Sequence, residues 1–259
     1  MTVLTASGRV WLRNWLVYRR LWHRSLAFGF LQPVLFLTAM GLGIGALLTR
    51  GSLEAFGGIP YIDWLGPGLL AAMAMQTATF ESTYPIMNKI MWGRNYEAML
   101  STPVSIRSIV LGELGWTAFR IGSLAAVFLV VLWLFGIPRS PMAILAIPVA
   151  MLVGVAFAAL LIAFTATQKN DVGFSAIFRF VVNPLFLFSG TFFPLTTLPE
   201  PLRAVAWATP LFHGVELIRG SILDQLDPLT APLHLAYLLV MFGIGAVLAE
   251  SSLTRRMAG

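Results

Sequence analysis

Apolar residues run along this chain in long blocks separated by short polar joints. Four blocks contain no Asp, Glu, Lys or Arg: Ser25 to Thr49, Ser140 to Gln168, Phe180 to Pro199 and Pro228 to Ala249. Two more carry isolated charges, Trp64 to Asn88 with Glu81 and Ser108 to Pro138 with Glu113 and Arg120. Crossing the hydrocarbon of a bilayer takes about 20 helical residues. The pattern therefore predicts six transmembrane helices in an all-α integral membrane protein.

The joints predict shorter elements. At about 100° per residue, residues 9–24 form a two-faced helix, with Arg9, Arg13, Arg20 and Arg24 on one side and Trp11, Trp15, Tyr18 and Trp22 on the other. That suits an amphipathic helix on the inner membrane surface, either as an anchor or as a partner contact. Residues 93–105 are too polar to span. They predict a short helix with Glu97, Leu100 and Ser101 on one face, ended by Pro103. The fifth block stops on Ser189, Gly190, Phe193 and Pro194 without a charged flank, which suggests backbone held near one membrane face. Residues 195–231, broken by Pro199, Pro201, Pro210 and Pro228, then predict two short helices, Leu202 to Ala208 and Leu211 to Leu223. Glu216 and Arg219 lie three residues apart there and are able to pair.

Composition narrows the class. Of 259 residues 58% are hydrophobic and 11% charged, with a mean hydropathy of +0.83, against about 25% charged in soluble domains. One membrane domain over 1–259 is expected. With no cysteine, disulfides, Cys-based zinc sites and Cys nucleophiles are excluded. The first apolar block follows five arginines and lacks a nearby small-residue cleavage site, so no cleavable signal peptide is expected.

Charge sets an orientation. With a cytoplasmic N-terminus and six spans, Arg9, Arg13, Arg19, Arg20, Arg24, Lys89, Arg94, Arg107, Lys169, Arg255 and Arg256 fall inside. Arg50, Arg139, Arg203 and Arg219 fall outside. This is the bias that retention of Lys and Arg on the cytoplasmic side produces, and it puts both termini in the cytoplasm of a multi-pass cell-membrane protein. The basic balance of +6 belongs to span ends and does not call for nucleic acid.

Ionisable groups inside spans normally face the bundle interior or water. Glu81, Glu113, Arg120 and Arg179 are the candidates, as a neutralising network or as substrate contacts. Glu113 and Arg120 share a helical face but stand about 10 Å apart along it, so each needs a partner on another helix. The series Gly41, Gly43, Gly45 reads as a close-packing face.

Tyr96 to Pro103, Phe188 to Pro194 and Thr209 to Arg219, in this order and spacing, resemble the type-2 ABC export permeases. Within that family the chain looks closest to the nodulation-factor (lipo-oligosaccharide) and daunorubicin exporter permeases. The resemblance covers the whole chain: an N-terminal amphipathic helix, six spans, a coupling helix, and a re-entrant extracellular helical hairpin before the last span. It implies that Asn95, Tyr96, Glu97, Leu100, Ser101 and Thr102 fit a cleft on a separate ATP-hydrolysing subunit, present in two copies. It also implies a second permease copy, as a homodimer or with a similar permease, and a hairpin that lids the outer end of the pathway. The hairpin residues implied are Ser189, Gly190, Phe193, Pro194, Glu216 and Arg219.

The sequence holds no Walker-type Gly-rich loop. No cofactor is expected on this chain, with ATP and magnesium on the partner. The expected substrate is amphiphilic, a glycan, lipid-linked glycan or lipo-oligosaccharide, with a drug as the alternative. A membrane-embedded lipid-linked transferase would need clustered polar residues, whereas His23, His213 and His234 are scattered in sequence. Asp224 and Asp227 read as a helix-end cap. A secondary transporter would show more spans or an internal repeat.

Overall fold

Every regular element among the described residues is helical. The computed structural model describes residues 2–20, 22–48 and 54–258, with the backbone alone over 24–28. Arg50 and the Arg24 side chain, both counted in the charge bias, lie outside the described residues.

Helix α1 (Val3–Tyr18) starts on Thr2, whose hydroxyl accepts from the Thr5 N–H at 3.4 Å. It stops at a turn over Arg19 and Arg20, and α2 (Trp22–Phe36) follows. The single helix predicted over 9–24 is therefore two. Both turn arginines stay exposed, which spares two cations the cost of burial where the chain changes direction. Beyond Pro33, α2 continues into a π-helical stretch, Leu37–Ile44, and a 3-10 turn, Gly45–Leu47. Gly41 lies against Ile62 of α3.

Helix α3 (Tyr61–Ser82) breaks at Thr83, because Pro85 has no N–H for the preceding turn and its ring crowds it. The hydroxyl of Thr165 donates to the freed Ser82 carbonyl at 2.8 Å. After α4 (Tyr84–Met87) and a π turn, Asn88–Trp92, Arg94 adopts left-handed backbone at φ 44° and starts α5 (Asn95–Leu100). Ser105 accepts from the Ser108 N–H at 3.2 Å and caps α6 (Ile106–Leu134). A 3-10 turn then leads into α7 (Ala146–Thr167).

Helix α8 (Val172–Phe188) holds a π segment, Phe178–Val182. Its start before Phe180 corrects the predicted fifth block, while its end, at a turn where Gly190 sits at φ +80°, falls on the Ser189 and Gly190 where the sequence stopped the span. That left-handed geometry favours glycine and ends the helix. The hairpin region supplies α9 (Glu200–Trp207) and α10 (Pro210–Leu223), and α11 (Ala231–Ala258) closes the chain. Asp224 takes left-handed backbone at the end of α10, and Asp227 accepts from Leu229 N–H and Thr230 Oγ1 just before α11. Both aspartates therefore serve helix ends.

Four stretches among the described residues are long and apolar enough to cross a membrane: Gly29–Leu47, Ile106–Leu134, Pro141–Thr167 and Ala231–Ala258. Helix α3 has comparable length at 22 residues but carries Asp63 and Glu81 near its ends. Helix α8 is shorter, at 17 residues, or about 26 Å. The core gathers around α7, on which α3, α6, α10 and α11 all pack. Buried Ala146, Ala150, Gly154, Ala158 and Ala159 let those backbones approach closely, as small residues do between membrane helices. Helix α1 lies along α6.

Candidate functional site

Helix α5 is pinned from beneath. Tyr96 is 1% exposed and lies against Glu113 of α6. Burial first, and the Glu113 carboxylate second, push its hydroxyl well above the usual tyrosine range, so it stays protonated. Glu113, 3% exposed, accepts from Lys89 Nζ at 2.6 Å and Asn14 Nδ2 at 2.9 Å. One carboxylate thus joins α1, the π turn after α4, α5 and α6. Lys89, placed by the charge bias at a solvated flank, is instead 8% exposed. No local pattern links it to a residue 24 positions away.

Of the six residues assigned to partner contact, Glu97, Ser101 and Thr102 are exposed, and Asn95 and Leu100 are half-buried. Tyr96 faces the other way. It anchors the helix and offers nothing to a partner, because its side chain fills the space over Glu113.

One helical stage further in, Arg120 meets Glu81 at 3.1 Å, and Trp116 Nε1 donates to Glu81 at 3.2 Å. The Arg120 guanidinium also lies 4.4 Å from the Tyr18 ring centre. Trp11, Trp15 and Tyr18 pack with Trp116 and Phe119. The aromatic face of α1 therefore rests on α6, where the sequence placed it at lipid headgroups. Glu113 and Arg120 use separate partners. Arg179 does not join them: it is exposed and makes no ion pair among the described residues.

The far end of α3, about 27 Å of helix from Ser82 to Trp64, meets the hairpin. Arg219, 5% exposed, donates to Glu216 at 3.2 Å, to the Gly190 carbonyl at 2.8 Å and to the Trp64 carbonyl at 3.3 Å. It also stacks 3.7 Å from the Trp64 ring centre. Burial pulls its pKa down to about 10, which leaves it charged at neutral pH. Ser189, Gly190 and Pro194 are buried, while Phe193 is half-buried against Phe188. A Cβ on Gly68 would come within 2.9 Å of the Thr191 backbone, so that glycine admits the loop against α3.

Two histidines judged scattered in sequence also meet here. His213 Nδ1 and His234 Nδ1 are 2.7 Å apart, and His213 Nε2 lies 2.9 Å from the Trp207 carbonyl. Tyr237 stacks on His213 at 3.9 Å and donates to the Ala208 carbonyl at 2.6 Å. Burial, then His234, push the His213 pKa down to about 4.

Residues 7–223, from within α1 to the end of α10, match the family model described as ABC-2 type transporter. The chain belongs to the ABC-2 type transporter family. It is 31% identical to nodulation protein J of Sinorhizobium fredii over 248 residues, covering 96% of this chain and 92% of that one. Nodulation protein J of Rhizobium meliloti is also 31% identical, over 262 residues, 99% and 97% of the two chains. The inner membrane transport permease YadH of Escherichia coli is 25% identical over 258 residues, 98% and 96%. This ABC-2 chain is a membrane permease, with α5 and the α9–α10 hairpin at opposite ends of α3.

Proposed function

We propose that the chain is the conduit half of an ATP-driven exporter, a single membrane domain over 1–259. It crosses the membrane six times with both termini in the cytoplasm, α2 with its extension, α3, α6, α7, α8 and α11 being the spans. ATP and magnesium bind two copies of a separate ABC ATPase subunit. A second permease copy completes the pathway. The cargo is an amphiphile with a glycan headgroup, in keeping with relatives that carry the name nodulation protein J.

One observation carries this reading: α5 presents Glu97, Ser101 and Thr102 outward while Tyr96 packs, fully buried, against the Glu113 carboxylate. A rigid element transmits a push from outside, because its buried Tyr96 cannot move without displacing the Glu113 carboxylate that holds Lys89 in a buried ion pair. Through Asn14 and Lys89 that push reaches α1 and the break after α3. At the other end, Arg219 holds the Gly190 loop closed over α3.

The test is co-purification with the ATPase subunit. Ser101→Trp and Thr102→Trp change exposed positions and are expected to abolish recruitment while leaving the melting temperature unchanged. Tyr96→Ala is expected to lower both. Wild-type recruitment by both tryptophan variants would remove the α5 docking surface from the account. ATPase stimulation by hydrophobic drugs alone would replace the glycan cargo with the drug alternative.

A further inference from the structure

Gln32 of α2 and Gln76 of α3 line two adjoining cavities. One, of about 280 Å³, is bounded also by Glu81 and Arg120, and a tighter one of about 20 Å³ runs past Met73 to Phe186. Gln32 is exposed and Gln76 half-buried, and neither carboxamide makes a hydrogen bond among the described residues. Each offers two donors and an acceptor; Gln32 stands in an apolar stretch of α2, while Gln76 on α3 has Thr77 and Glu81 beside it on the same lining. Polar groups in that setting are costly unless something meets them.

The surroundings select what that something is. Glu81 and Arg120 already neutralise each other at 3.1 Å, so the lining offers donor–acceptor pairs without net charge. Hydroxyl groups match such a lining. A phosphate calls for a charged donor set and a quaternary amine for an aromatic cage. The larger cavity also reaches Phe80, a largely exposed side chain, over which a hydrocarbon tail has room to lie. On the other side of the ion pair a cavity of about 420 Å³ leads past Asn88 to Arg13 on α1, which supplies a polar approach from the α5 end.

We infer that Gln32 and Gln76 form a binding site for the uncharged, hydroxyl-rich headgroup of an amphiphile, with its chain over Phe80. The inference rests on the permease reading and deepens it by naming the headgroup chemistry and the residues that read it.

The test is equilibrium binding of radiolabelled dodecyl maltoside to the full-length protein in lipid nanodiscs, with unlabelled dodecyl maltoside and dodecyl phosphocholine as competitors. Wild type is expected to bind saturably, with competition from the maltoside and not from the phosphocholine. Gln32→Leu and Gln76→Leu should each weaken binding at least about tenfold, as loss of a desolvated hydrogen-bonding group does. Melting curves check the fold, and if either leucine variant melts early, the near-isosteric Gln32→Met and Gln76→Met carry the comparison. Absence of saturable binding to wild type, unchanged affinity in both single variants, or equal competition by phosphocholine each overturns the site. The permease reading fails separately: a chain that binds maltoside through both glutamines yet recruits no ATPase subunit keeps the site and loses the motor.

Discussion

Glu113 does more than any other side chain to connect the α5 end of the molecule. It takes Lys89 at 2.6 Å and Asn14 at 2.9 Å, with Tyr96 against it. Replacing it with glutamine leaves the Lys89 ammonium buried without its counter-charge, and breaking a buried pair from one side costs about 3–5 kcal/mol. Glu113→Gln should therefore melt well below wild type in nanodiscs, and Lys89→Met with Glu113→Met should recover most of the loss. Equal melting of single and double variants would show that the pair does not hold α5. The sequence marked Glu81, Glu113 and Arg120 as charges needing partners, because a charge in an apolar block is conspicuous. It did not say which of them pair, and it left Lys89 and Asn14 out. Glu81 finds Arg120 39 residues away and His213 finds His234 21 residues away, and neither separation leaves a local pattern.

Among the elements, long helices were the most legible, since their apolar blocks exceed a membrane's thickness. The two hairpin helices were also legible, from the prolines that open each first turn. Breaks were harder. The α1–α2 turn falls inside a region whose amphipathic period runs unbroken through it, and α3 breaks at Thr83 inside an apolar block that runs on to Asn88. The His213–His234 contact between α10 and α11 yields a pH test. The folded state holds His213 at about 4 against an ordinary value of 6.5, so it favours the neutral ring. Its contribution is complete above about pH 6.5 and is lost as pH falls towards 4. Hydrogen exchange over 200–223, taken relative to the intrinsic rate at each pH, should rise as pH falls through that window and follow a flatter profile in His213→Asn. An identical rise in that variant would move the sensitivity to another group.

At the scale of the whole molecule, the two regions singled out for function stand at opposite ends of α3, one tied to Glu113 and the other to Arg219. Work done on one end reaches the other only through packed helices around α7, whose small residues leave little slack between backbones. The central claim is that the α5 surface faces the cytosol, where ATP is, while the hairpin faces outward. Because the chain has no cysteine, Ser101→Cys and Arg203→Cys each carry one reporter without background. The decisive measurement is labelling of these two variants with a membrane-impermeant maleimide on intact cells and again after permeabilisation. Arg203→Cys should label on intact cells and Ser101→Cys only after the membrane is opened. Labelling of both from one side would put motor contact and lid in the same compartment and contradict the account.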